Sequence, residues 1–212
     1  MYIARMLYPV KNLGPGDRLG IWVSGCKRNC LGCANPELHN HLPEQQISLD
    51  SVKKIVYMLP ELPKAITITG GEPFDQAYEL ASLCEWLSSS ISEDILIYTG
   101  YTLQQLNDMH DEKVESVLLH IAALVDGEYV EELNKGNRIK GSENQTLYVF
   151  REEYRANFTA LDNIFEEKRM VQSFLSCDGS IIATGFEKAN FNATFSEKLQ
   201  TAINGGGIYE KT

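Results

Sequence analysis

Along the chain, short continuous apolar runs alternate with stretches whose apolar residues recur at helical spacing. Residues 2–8 (YIARMLY) and 19–24 (LGIWVS) read as strands, separated by the turn-rich NLGPGD. In residues 47–59, Val52, Ile55, Val56 and Leu59 fall on one face of a helix. Residues 65–69 (AITIT) form a β-branched strand running into GGEPF, and residues 77–87 are helical again. Residues 94–100 (DILIYTG) give the next strand. A helix over 102–109 follows, opening with a capping box of Thr102 and Gln105. Residues 121–127 (IAALVDG) and 146–150 (TLYVF) complete the set of strands.

Strand, loop and helix repeated in this order predict an α/β fold of parallel strands, joined by crossover helices and covered on both faces. Each strand ends in a polar or glycine-rich loop, so chemistry is expected beyond the carboxyl ends of the strands. The repeats are too few for a closed eight-stranded barrel, which leaves a partial, open βα barrel or curved sheet. After residue 150 the pattern changes. A charged helix is followed by two strands around Asp178-Gly179, a strong hairpin signal, and then by a last helix over SEKLQTAIN. The expected division is a core over 1–150 and a small α+β extension over 151–212.

Composition narrows the chemistry. Of 212 residues, 43% are hydrophobic and 23% charged, enough for a sizeable core. The net charge of -10 argues against a nucleic-acid-binding surface, which needs clustered cations; Lys27 and Arg28 are too short a basic run for that. No apolar run reaches membrane-spanning length, and the opening residues lack the pattern of a secretory signal. The expectation is a cytoplasmic protein, with no membrane and no nucleic acid among its partners. Thiols stay reduced in that compartment.

Three of the five cysteines, Cys26, Cys30 and Cys33, lie within eight positions in GCKRNCLGCANPE. An odd and crowded set fits a metal or cluster site better than a disulfide framework. One reading is zinc, with His39 or His41 as fourth ligand, though structural zinc sites more often use C-x2-C pairs. The other is a four-iron cluster with one iron left open to a small molecule. Gly32 and Asn35 permit a tight loop whose backbone amides face sulfur. Cys177, an isolated strand cysteine, and Cys84, on a helix face with Leu80 and Leu87, read as small apolar residues.

The C-x3-C-x2-C spacing resembles the radical S-adenosylmethionine (SAM) enzymes, and Gly70, Gly71, Glu72 and Pro73 match their GGEP motif letter for letter. IYTGYTLQQL (97–106), ALVDGEYVEEL (123–133), KGSENQ (140–145) and CLGCANPE (30–37) further resemble the activating enzymes of anaerobic (class III) ribonucleotide reductase. The resemblance runs in order over about residues 15 to 150. It implies a 4Fe-4S cluster on Cys26, Cys30 and Cys33, with SAM bound at the open iron near Asn35, Gly70, Gly71, Glu72 and Pro73. It also implies that Thr99, Gly100 and Tyr101 end a strand near SAM, that Asp126 binds SAM or orients the partner's loop, and that Ser142, Asn144 and Gln145 line the far end.

In the mechanism so implied, one electron from the reduced cluster cleaves SAM to methionine and a 5′-deoxyadenosyl radical. That radical takes a hydrogen atom from a backbone glycine of a partner glycyl radical enzyme. A flavodoxin or ferredoxin-type donor supplies the electron. The extension after residue 150 departs from the compact family pattern. It keeps open a small-molecule radical SAM enzyme resembling 7-carboxy-7-deazaguanine synthase, or a binding module without catalysis.

Overall fold

The computed structural model describes residues 1–166, 171–175 and 181–185. Its centre is a six-stranded sheet whose spatial order follows the chain: β1 (Ile3–Val10), β2 (Arg18–Val23), β3 (Ile66–Gly70), β4 (Ile95–Tyr98), β5 (Ala123–Asp126) and β6 (Thr146–Val149). The four inner strands are parallel, with Leu19 opposite Ile66, Ile66 opposite Ile95, and Leu96 opposite Ala123. The two outer pairings are antiparallel. Only residues 11–17 join β1 to β2, too short a link for the crossover that a parallel pair requires. The sheet is therefore largely, not wholly, parallel.

Every strand side chain alternates between two faces. One face carries Leu19, Ile21, Ile66, Ile68, Ile95, Ile97 and Leu124. It is covered by α1 (Leu49–Tyr57), α2 (Ala77–Ser90), α3 (Leu103–Asp108) and α4 (Glu112–His120) through Val52, Leu80, Leu106 and Val117. The opposite face carries Leu96, Tyr98, Ala123 and Val125, packed with Ile139 and with Phe158 of α5 (Glu152–Asp162). Thus the crossover helices lie together, and the second face is covered by a helix from beyond residue 150. On α1, Val52 and Val56 are buried while Ile55 is 40% exposed. Ile55 is rotated about 100° from Val56 and stands at the edge of the stripe.

The capping box predicted at Thr102 and Gln105 forms. Helix α4, in contrast, answers to no predicted element. Its start is set by Asp111, whose carboxylate accepts from the Lys113 amide at 2.7 Å, and it buries Val114 and Val117. The hairpin predicted after residue 170 forms from β7 (Gln172–Leu175) and β8 (Ile181–Thr184). It docks on the β1–β2 link: Asn12 Nδ2 donates to the Thr184 carbonyl at 2.6 Å, and Phe174 packs with Val10, Leu13, Trp22 and Leu38. Cys177, the Asp178-Gly179 turn and the last predicted helix lie outside the described residues. Among the described residues no helix is long and apolar enough to cross a membrane.

The amino ends of the parallel strands are sealed by Arg18, whose side chain is fully buried. Its guanidinium donates to Thr67 Oγ1 (2.6 Å), the Ile66 carbonyl (2.6 Å) and Asp94 Oδ1 (2.9 Å), and lies 5.6 Å from the Phe158 ring centre. A buried cation is tolerated there because acceptors surround it. The carboxyl ends are left for the site.

Candidate functional site

The cysteine loop begins where β2 stops and is stitched to its own far end. Gly25 N donates to the Leu38 carbonyl (2.8 Å), Cys26 N to the His39 carbonyl (2.9 Å) and Cys33 N to the Cys30 carbonyl (3.2 Å). Backbone amides face sulfur as expected: Asn35 N lies 3.4 Å from Cys33 Sγ, and the amides of Arg28 and Asn29 point at Cys26. Gly32 holds a positive φ of 72°, which a side chain would strain. Burial pushes the Cys26 and Cys33 thiols upward, and these amides partly offset it.

The loop after β3 docks against this one through the main chain. Gly71 N donates to the Val23 carbonyl (2.7 Å) and Glu72 N to the Gly25 carbonyl (2.8 Å). A Cβ at Gly71 would stand 2.4 Å from the Gly25 carbonyl oxygen. The glycine therefore serves an approach between two loops of the protein itself, one of them adjacent to Cys26. Gly71→Val is expected to force those backbones apart at about 1–3 kcal/mol, the usual cost of overpacking. Its thermal midpoint should fall by several degrees. An unchanged midpoint would refute the contact.

Glu72 is buried, with 1% exposure. One carboxylate oxygen accepts from Thr99 Oγ1 (2.7 Å) and the Phe74 amide (3.0 Å), and the other from the Gly100 amide (2.8 Å). Burial nonetheless raises its pKa to about 7, because removing a carboxylate from water outweighs these three bonds and the nearby Arg28. The Thr99 hydroxyl, through its bond to Glu72, ties the end of β4 to the end of β3, and it also accepts from the Tyr101 amide.

Cys26, Cys30, Cys33, Asn35, Gly70, Gly71, Glu72, Thr99, Gly100 and Gln145 line one pocket at the carboxyl ends of the strands. The other residues singled out by sequence stand behind it. Pro73 is buried at the start of a 3-10 turn. Tyr101 lies under the Arg28 guanidinium, 4.0 Å from ring centre to Cζ, and its hydroxyl donates to Asp75 at 2.8 Å. Asp126 accepts from the Leu103 amide (2.7 Å) and the Thr146 amide (3.1 Å), so it joins the start of α3 to β6. Ser142 accepts from Val130 N, and Asn144 donates to the Glu128 carbonyl. Ser142 and Asn144 thus hold the loop over 127–130 in place from behind.

The pocket also takes Arg28, Thr69, Tyr98, Gly127 and Tyr129, none of which the sequence reading names as a site residue, and His39, which it weighed only as a zinc ligand. Tyr129 falls within the quoted ALVDGEYVEEL stretch (123–133), which was a usable clue. Arg28 reads in sequence only as half of a short basic pair. His39 lines the pocket with a buried Nε2 that has no hydrogen-bond partner, whereas His41 stacks on Tyr2 at 4.4 Å. Among the described residues, no three His, Cys, Asp or Glu side chains close round a single ion position. Three soft thiols in one pocket are the ligand type that iron–sulfur clusters take. Cys84 is fully buried in the core beneath α2, as expected.

The sequence profile of the 4Fe-4S single cluster domain matches residues 12–148. The chain is 30% identical over 152 residues to the anaerobic ribonucleoside-triphosphate reductase-activating protein of Vibrio cholerae, covering 68% of this chain and 95% of that one. It is 30% identical over 152 residues to the Escherichia coli K12 protein of the same name, covering 68% and 96%. The bacteriophage T4 protein of that name is 28% identical over 139 residues, covering 64% and 85%. These relatives are spanned almost end to end, while about a third of this chain has no counterpart in them.

Proposed function

The chain belongs to the 4Fe-4S single cluster domain family and to the anaerobic ribonucleoside-triphosphate reductase-activating proteins, and from this premise we propose how its pocket performs activation. It is a radical SAM activating enzyme that generates a glycyl radical on anaerobic ribonucleotide reductase. Cys26, Cys30 and Cys33 would hold the cluster and leave one iron open, and SAM would bind over Gly70, Gly71 and Glu72. When bound, the reduced cluster supplies the single electron that splits SAM.

The residues of this chain do the positioning. Glu72, fixed by three donors and aimed into the pocket, would receive the ammonium of SAM. Thr99 and Gly100 hold that carboxylate in place. Ser142 and Asn144 act through the loop over 127–130, which they brace at the rim where a partner's glycine loop would enter, and Asp126 fixes the start of α3 against β6 beside it. The sheet is read as a partial, open βα barrel. Its sequential strand order and the grouping of the crossover helices on one face support this, since a laterally open barrel admits a protein loop. Residues 1–150 form the radical SAM core and 151–212 the extension, whose helix α5 packs on the core. The electron donor is of the flavodoxin or ferredoxin type, in the reducing cytoplasm.

The observation that carries the reading is the meeting of three thiols and the Glu72 carboxylate in one pocket, with no fourth thiol there among the described residues. The test is anaerobic incubation of the iron-loaded protein with SAM, a low-potential reductant and a class III reductase. Methionine and 5′-deoxyadenosine should appear together with a glycyl radical signal on the reductase by electron paramagnetic resonance. SAM cleavage without that signal, across cognate reductases, would transfer the reading to a small-molecule enzyme. A single zinc ion per chain in place of iron and sulfide would end it.

A further inference from the structure

Arg28 sits between two of the three clustered cysteines, yet its side chain turns inward and is only 15% exposed. Its aliphatic stem passes over Gly100, where a Cβ would meet Arg28 Cδ at 2.3 Å, so glycine at 100 makes room for it. The guanidinium lies over the Tyr101 ring, and Nη1 donates to the Glu128 carboxylate. Among its other donors, Nε stands out. Nε is buried and without a hydrogen-bond partner, and the nearest carboxylate oxygen, Glu72 Oε2, is 3.6 Å away.

Glu72 does not need that donor, since three others already hold it. A buried N–H left unpaired carries a full desolvation cost, which points to an acceptor that arrives with a ligand. Arg28 and Glu72 thus present a cation with a spare donor beside an anion, both on the wall of one pocket. Such a pair complements the head of an α-amino acid, with the ammonium toward Glu72 and the carboxylate toward Arg28.

We propose that Arg28 recognises the carboxylate of the methionyl end of SAM, and that it selects against adenosyl ligands lacking this group. The proposal rests on the SAM reading above. Without the carboxylate, Nε stays buried and unpaired, and a site built to pair a polar group rejects the analogue that lacks it.

The experiment compares SAM with its decarboxylated analogue by calorimetry on the iron-loaded protein, and by the change each makes in the resonance of the reduced cluster. Arg28→Met keeps the stem over Gly100 and removes the donor. It should weaken SAM by about 10- to 100-fold, as expected for a hydrogen bond to a charged group. Affinity for the decarboxylated analogue should change by less than about 2-fold, because its partner never existed. Equal losses for both ligands would make Arg28 a structural tie of the loop, and no loss for SAM would remove it from recognition; either overturns the proposal. Should Arg28→Met fail to load iron, Glu128→Gln, which loosens Nη1 from outside the pocket lining, must give the same selectivity at smaller size, and a non-selective effect overturns the proposal there too. Failure of the unaltered protein to bind SAM would instead remove the SAM reading itself.

Discussion

Cys30→Ala is expected to yield a folded protein that loses the visible absorbance of the cluster and all SAM cleavage. Cys30 is only partly buried and lies in a loop outside the strands and helices, so its removal opens no cavity in the sheet packing. On the proposed ligand set it leaves two thiolates for a cluster that needs three. Cys26→Ala and Cys33→Ala should behave alike. Cys84→Ala is the contrast: that thiol is fully buried among Leu80, Leu83 and Leu87, so the variant should lose some stability and keep its iron. His39→Ala separates the cluster from a mononuclear site. If His39 completed a zinc shell, its loss would strip the metal as Cys30→Ala does; with a three-cysteine cluster, iron and sulfide stay bound. A Cys30→Ala protein that still cleaves SAM under reducing conditions would overturn the assignment.

Strands such as ITIT, ILIY and ALVD were legible because they are buried on both faces and so read as unbroken apolar runs. The direction of the outer strands was less so, since pairing sense is set by the connection and not by the strand's own residues. The cysteines, GGEP and the T-G-Y segment were legible as motifs, and more than half of the pocket wall follows from them. Arg28 was not. Its inward turn depends on Gly100, Tyr101 and Glu128, all distant in sequence, and nothing in a Lys-Arg pair announces which residue is solvated. Asp126 shows the converse. Its motif placed it near the pocket, but its carboxylate is engaged by two backbone amides, and that is decided by where α3 and β6 begin. Helix α4 is short and was obscured by its charged, weakly periodic sequence, although Asp111 with Val114 and Val117 carried the pattern of a capped amphipathic turn.

Helix α5 follows the change of pattern at residue 150 and packs on the sheet, and two truncations test what that packing contributes. A chain ending at Phe150 removes α5. Phe158 is fully buried against Leu96, Tyr98 and Val125, and its ring stands beside the Arg18 guanidinium. Deleting one such aromatic costs about 3–5 kcal/mol, a large share of the 5–15 kcal/mol that holds a typical domain together. Removing the whole helix also bares the second face of the sheet, including Tyr98 at the pocket wall. The 1–150 chain is therefore expected to be insoluble or to take up no iron. A chain ending at Glu166 keeps α5 and the Arg138–Glu166 pair, and loses the hairpin docked on Asn12. It is expected to fold, load iron and cleave SAM without a partner, while losing glycyl radical formation on the reductase if the extension orients that partner. A 1–150 chain that loads iron normally would refute the packing argument. Full reductase activation by the 1–166 chain would leave the hairpin with only the burial of the β1–β2 link to perform.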